Sequence, residues 1–415
     1  MARVFPFQPY RYTSTAGVPL DHLVTQPYDK ISPAMRERYL ALSPYNLVRI
    51  ILGKPEDGDA NGGNVYTRAA AHLDDWIGKG VLAAEAEPSF FAYFQQFTDP
   101  DTGQRLVRKG FIGLGQVEEY AAGIVHRHEQ TLSGPKKDRL EVLRNTHAHF
   151  GQIFMLYPDR EQAIDSLLDQ AAEGPPLAQV VDEYQAVHRL WKISAPETTA
   201  RIQQLMADKK LVIADGHHRY ETALNFSKES SLADAGRVMM TFVNMYSPGL
   251  RILATHRLVS HLAGFNQETL LAGLARLGTV TAMPPSDFRS RFAAFEDGKI
   301  LLGVALPAED RIHLLEARRE SGSLDVPFLH QQVLSGVLGI TEEAVREEKY
   351  LTYVRGIDAA LAAVASGGAQ VAFLLQPTRI EDVADVSFGG GVMPQKSTDF
   401  YPKLLSGMTI YKLKS

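Results

Sequence analysis

Apolar positions along the chain recur with two periods, and the places where the period changes mark its elements. Ala69, Leu73, Trp76 and Ile77 fall three or four residues apart, which predicts a helix over 65–79 with one apolar face. The stretch 88–117 instead alternates along two runs separated by Asp99-Pro100-Asp101-Thr102-Gly103, the pattern of a β-hairpin and its turn. Residues 123–146 pass from a short strand through a Gly-Pro loop into a charged helix expected to begin near Lys137. A strand follows at 150–159, and helices at about 160–172 and 198–208 bracket strands around 181–194. Beyond a strand at 238–247, residues 266–358 alternate helical and strand-like pieces in the manner of a small α+β module. The tail adds a strand, a helix beginning near Arg379, a glycine-rich turn, a lysine loop and a final strand.

One change of period carries chemistry. Residues 209–224 read KKLVIADGHHRYETAL, an apolar β-forming run that gives way to helical spacing after Gly216. Asp215 and Gly216 therefore stand at a strand-to-helix turn. A helix N-terminus offers unpaired N–H groups and a positive dipole end, which suit phosphate or carboxylate. Arg219 adds a planar fork that matches phosphate oxygens. The plainer alternative makes Asp215 an N-cap and Arg219 a solvated residue of the first turn.

Two further stretches hold reactive side chains. In His126-Arg127-His128-Glu129-Gln130-Thr131, followed by Asp138 and Arg139, an extended backbone over 124–129 would put His126 and His128 on one face. A glutamate among basic groups at a strand end can take a proton from a hydroxyl, although a charged edge strand has the same composition. Gly389-Gly390-Gly391 leads to Lys396-Ser397-Thr398, an ammonium and two hydroxyls able to cradle phosphate. Pro394 and Gln395 before the lysine break the GxxxxGK[ST] pattern, so a plain glycine turn remains the alternative. The pairs His126/His128, His147/His149 and His217/His218 could hold zinc, but none has HExxH spacing and Arg127, Arg144 and Arg219 disfavour a cation there.

Composition narrows the classes. The chain has 415 residues, enough for two or three domains or one elaborated domain. Its 43 lysines and arginines stand against 48 acids, a net charge of −5, which argues against a nucleic-acid partner. With no cysteine, thiolate zinc, iron–sulfur and cysteine nucleophiles are excluded. The first residues, MARVFPFQPYRY, lack the apolar core of a signal peptide, and the longest apolar run is far short of the ~20 residues of a membrane helix. No membrane partner and a cytoplasmic location are the expectation.

Taken together, Pro27-Tyr28-Asp29, HEQT at 128–131 with Asp138-Arg139, ADGHHRY at 214–220 and MPQKSTDFYPKLLSG at 393–407 resemble the bacterial family "domain of unknown function 1015" over nearly the full length. The order HEQ, strand–DGHHR–helix and late lysine loop is also similar to that of the free L-serine kinases of archaea, in the ParB/sulfiredoxin-like superfamily. The resemblance implies an α+β fold with a ParB/sulfiredoxin-like catalytic core at 116–250, an N-terminal module at 1–115 and a C-terminal module at 251–415. It implies a kinase that moves a phosphoryl group from ATP, ADP or pyrophosphate to the hydroxyl of free L-serine. The alternative is a nucleotide-binding or nucleotide-hydrolysing ParB-like regulator. By the same resemblance Glu129 is the general base, and Asp215 positions the hydroxyl or a magnesium ion otherwise carried by the donor phosphates. Gly216, His217, His218 and Arg219 hold donor phosphates, with Lys396, Ser397 and Thr398 as a second clamp. His128, Thr131, Asp138 and Arg139 are supporting or substrate-contacting candidates.

Overall fold

The computed structural model describes all residues except 58, 60–62, 130–132, 321–323 and 415, and the side chains of 133–135 are likewise outside the description. The fold mixes helices and sheets, as expected. It divides into two compact units: Met1–Asp99, Gly103–Leu250 and Pro402–Ser415 form one, and Pro100–Thr102 with Arg251–Tyr401 the other.

The first unit is built on a nine-stranded mixed sheet. Its order is Val125–His126, Leu211–Asp215, Ile153–Tyr157, Arg237–Asn244, Arg105–Gln116, Phe90–Thr98, Val187–Ile193 and Ala178–Val181, with Val4–Phe5 added beside Arg105–Gln116. Two pairings are parallel, Leu211–Asp215 with Val125–His126 and Arg237–Asn244 with Ile153–Tyr157. Strand 105–116 runs across position 115, so one sheet takes strands from both sides of it. The extended stretch expected over 124–129 is shorter, Val125–His126 alone. Period-two alternation sends Phe90, Ala92, Phe94, Phe111, Met240 and Phe242 into the main core, where they meet Ile164, Leu168, Ile202 and Met206 of the helices Ala163–Ala171 and Pro196–Met206.

The opposite face of the same strands carries polar groups. His188, Gln95 and Arg108 stand directly across from one another on three neighbouring strands, all buried. The last stretch of the chain returns to this unit, pairing Ser406 with Thr25, Ile410 with Tyr10 and Tyr411 with His149. A satellite core gathers the N-terminal helices around Trp76, Leu73 and Ala69, on the face whose spacing predicted the helix, observed at Val65–Gly78.

The second unit holds a six-stranded, wholly antiparallel sheet ordered Thr279–Met283, Ile312–Arg318, Lys299–Ala305, Val371–Leu375, Thr255–Val259 and Leu351–Arg355. Both faces are covered. Ile300, Leu302 and Val304 pack toward Leu270, Leu329 and Val333, whereas Leu301 and Ala305 pack toward Phe288, Phe292 and Ala360. Near-continuous apolar runs such as ILLGVA follow from that double burial. Among the described residues no helix is long and apolar enough to cross a membrane.

Candidate active site

Leu211, Val212, Ile213 and Ala214 are buried, and the strand ends at Asp215, whose side chain keeps 20 % exposure. Gly216 then turns the chain with φ +94°, a left-handed conformation that a side chain would strain, and caps the helix His217–Glu229 without a side-chain hydrogen bond. A Cβ here would stand 2.9 Å from the Arg219 guanidinium, so the glycine also makes room for that group. Asp215 is thus not the N-cap. Its Oδ2 accepts from Arg219 Nη2 at 2.8 Å and its Oδ1 from Lys403 Nζ at 3.2 Å. Arg219 Nη1 also donates to the Gln152 carbonyl, which makes it a packed residue and not a solvated one. Burial by itself would raise the Asp215 carboxyl, yet Lys403, Arg219 and Lys30 together hold it well below the usual carboxylate range.

The histidines lie against this turn. His128 is buried and bonds through Nδ1 to the Ile213 carbonyl at 2.7 Å, so Nδ1 carries the proton. Its ring meets that of His217 edge-on at 4.7 Å. Burial pushes His128 down to about 4, and burial together with His128 holds His217 well below its ordinary value, which leaves both imidazoles neutral at pH 7. His218 is lowered by burial and by Lys136. Glu129, half-buried, follows His128 directly, and the His128–Ile213 bond fixes where it leaves the sheet. Thr131 lies outside the described residues. Lys136 pairs with Glu221, and Arg127 stands 3.9 Å from the same carboxylate.

The Pro27-Tyr28-Asp29 and Asp138-Arg139 motifs come together. The Arg139 guanidinium lies 4.1 Å over the Tyr28 ring and donates to the Ile51 carbonyl at 2.7 Å, while Asp138 accepts from Tyr66 Oη at 2.9 Å. Beside them an open cleft is lined by Tyr28, Arg139, Phe150, Gly151, Arg219 and Thr222, among others. Among the described residues, buried Thr222 Oγ1 has no hydrogen-bond partner.

Lys396, Ser397 and Thr398 belong to the other unit and are described there. Lys396 is exposed, with φ +59°. Its carbonyl accepts from the buried Arg257 at 3.0 Å. Ser397 is buried, donating to the Pro394 carbonyl at 2.6 Å and accepting at its own carbonyl from Thr378 at 2.7 Å. The loop ends on Asp399, held by the Arg355 fork.

The family model described as protein of unknown function DUF1015 matches residues 4–330. The chain belongs to that family. No curated protein matches the chain. Among solved structures it is similar to a free serine kinase in complex with AMP (13 % identity, TM-score 0.37, 70 % of this chain and 88 % of that one). It is also similar to a conserved hypothetical protein from Pyrococcus furiosus (13 %, TM-score 0.35, 70 % and 92 %). A third similar structure is C-terminally truncated SbnI from Staphylococcus aureus (11 %, TM-score 0.35, 71 % and 85 %).

In this DUF1015 member, Asp215, Gly216, His217, His218, Arg219 and His128 form one cluster, whereas Arg139, paired with Asp138, lines the cleft that Arg219 also lines. Sequence reading missed Lys403 and Lys30, two cations acting on Asp215. Lys403 had a signal, since it lies inside the MPQKSTDFYPKLLSG stretch, but nothing local distinguishes it from a surface lysine. Both Asp215 carboxylate oxygens accept from cations, one from Arg219 and the other from Lys403. Among the described residues no group of three or more His, Asp or Glu is arranged to hold a metal ion.

Proposed function

We propose that the protein is a small-molecule kinase that phosphorylates the hydroxyl of free L-serine, with a nucleotide or pyrophosphate as donor. The observation that carries this reading is the turn at Asp215, where two cations are fixed on one carboxylate beside an uncapped helix N-terminus. Phosphoryl transfer demands placed positive charge around the phosphoryl oxygens and a base near the acceptor more than it demands covalent chemistry. Arg219 and Lys403, with the N–H groups of Gly216, His217 and His218, supply the charge. Asp215 organises those cations. Glu129 supplies the base: it takes the hydroxyl proton as the serine oxygen bonds to the terminal phosphorus and the bond to the leaving phosphate oxygen breaks.

The cleft beside Arg219 suits the rest of a nucleotide donor. Tyr28 and Phe150 offer aromatic surface and Thr222 an unused hydroxyl. Magnesium would reach the site on the donor phosphates and neutralise their charge. The purified protein, given magnesium, L-serine and ATP, ADP or pyrophosphate in turn, should yield O-phosphoserine with one of them. Nucleotide hydrolysis at the same rate with and without serine would replace the kinase by a ParB-like nucleotide hydrolase.

A further inference from the structure

Behind the candidate site, the polar face of the large sheet does something that no motif announces. Pro402–Leu405 crosses it, and each hydrogen bond there falls on the backbone of this segment. Arg108 donates to the Pro402 carbonyl, Gln95 Nε2 donates to the Lys403 carbonyl at 2.8 Å, and the Leu405 N–H donates to Tyr93 Oη at 3.3 Å. The three side chains are themselves joined. Arg108 Nε donates to Gln95 Oε1 at 2.9 Å, and His188 Nδ1 lies 2.7 Å from Tyr93 Oη and 3.2 Å from Gln95 Nε2.

The direction of this chain follows from its far end. Asp182 can only accept, so His188 Nε2, 3.2 Å from Asp182 Oδ2, carries the ring proton. Nδ1 is then an acceptor and takes the Tyr93 hydroxyl proton. Tyr93 Oη in turn keeps a lone pair for the Leu405 N–H. Burial, which lowers His188, keeps the imidazole neutral and this polarity intact. Burying five polar side chains in one row costs stability unless every one is satisfied, and an apolar sheet face would hold a chain segment equally well. What the polar row adds is register: hydrogen bonds to three backbone positions fix the segment to within a fraction of a residue.

We infer that the row Asp182–His188–Tyr93, with Gln95 and Arg108, is a positioning device that sets Lys403 Nζ on Asp215. It rests on the kinase reading only in what Lys403 then touches, which is the transferring phosphate. These five are positioning residues and are assigned no contact with the reacting groups. They act through Lys403, whose ammonium lies 3.2 Å from Asp215 Oδ1 while its carbonyl is held by Gln95.

The test reads Lys403 without any ligand. Each lysine is followed by mass spectrometry during brief acetylation of the full chain. In the parent protein Lys403, 8 % exposed, should be modified far more slowly than exposed Lys396. Tyr93→Phe removes one oxygen and both of its bonds, and should raise Lys403 modification about tenfold, the order expected for losing a buried hydrogen bond. Asp182→Asn presents an amide donor to His188 Nε2, drives the ring proton to Nδ1 and leaves the Tyr93 hydroxyl proton without an acceptor. It should raise Lys403 modification by a similar factor from the far end of the row. Tyr157→Phe is the control, since that hydroxyl is equally buried but has no partner, and it should change nothing. Lys403 modified as fast as Lys396 in the parent, or at the parental rate in Tyr93→Phe, overturns the inference. Should Asp182→Asn not fold, those two measurements decide. Pyrophosphate affinity, measured by calorimetry on the same proteins, reports separately on the kinase reading: no binding by the parent defeats that reading and leaves the positioning role standing.

Discussion

The two glycine-marked turns of this chain look alike in sequence and are built in opposite ways. At Asp215-Gly216 the charged side chains are fixed: Asp215, Arg219 and Lys403 are mostly buried and locked to one another. At Lys396 the backbone is fixed instead. Arg257 and Thr378 hold the carbonyls of Lys396 and Ser397, while the lysine side chain is exposed. The contrast separates two ways of meeting an anion. Charges placed in advance need no reorganisation when phosphate arrives and act at reduced dielectric, whereas an exposed lysine on a rigid loop must give up side-chain freedom to make its contact.

The largest expected effect belongs to the proposed base, Glu129. Glu129→Gln keeps the shape of the side chain and removes its basicity, so phosphoserine formation should fall by about 10²–10⁴-fold. Pyrophosphate affinity and the urea midpoint should stay as they are. Full turnover in this variant would defeat the proposed mechanism.

Lys403→Met separates the two turns by stability. Removing one partner of a mostly buried ion cluster leaves Asp215 under-compensated, and urea unfolding at pH 7 should show a loss of about 3 kcal/mol. Adding Asp215→Asn to the same chain should return part of that loss. The matching change at the other turn, Lys396→Ala, should move stability by less than about 0.5 kcal/mol, as exposed side chains do. Equal losses at both positions would erase the distinction drawn here.

Arg219→Lys should be intermediate. A lysine cannot reach both Asp215 and the Gln152 carbonyl, so a stability loss of about 1–2 kcal/mol is expected together with weaker pyrophosphate binding. Unchanged binding in calorimetry would remove the phosphate role of the DGHHR turn.

The smallest effect is a pH dependence. His128 titrates at about 4 in the fold against an ordinary value near 6.5, so its contribution is present above 6.5 and is lost as pH falls toward 4. Asp215, held low by its cations, contributes above the ordinary carboxylate value near 4 and is lost only at still lower pH. Replacing His128 by Gln should flatten unfolding free energy against pH between 6.5 and 4 by about one proton and leave the acid limb in place. A slope that is unchanged would show that the neutral imidazole contributes nothing.

How much of this was legible beforehand depends on distance along the chain. The helix around Trp76, the hairpin on either side of Asp99–Gly103 and the strand–turn–helix at Asp215 were readable because periodicity and turn chemistry act over a few neighbouring residues. The extent of the short strand at Val125 was not legible, since its end is set by pairing with Leu211 and Val212, far along the chain. Arg219 reads as solvated until Gly151 and Gln152 are seen beside it. The pairing of Lys403 could not be read. Its partner lies 188 positions earlier, and the Tyr93–His188 row that holds its segment spans 95 more. A sequence pattern records what each residue is, whereas a tertiary ion pair is decided by which distant strand happens to run past it.

The place of Lys403 in the chain has a consequence for biosynthesis. The ribosome releases residues in order, so the first 250 can assemble their sheet while the remainder is still being made. Asp215 and Arg219 are then in place, but Lys403 and the strand residues Tyr411–Lys412 that pair with Ala148–His149 follow only after the whole second unit has been translated. The cation cluster is therefore completed by the last stretch to emerge. A chain interrupted after the helix His217–Glu229 and before Lys403 would carry the DGHHR turn and still lack the charge that finishes it.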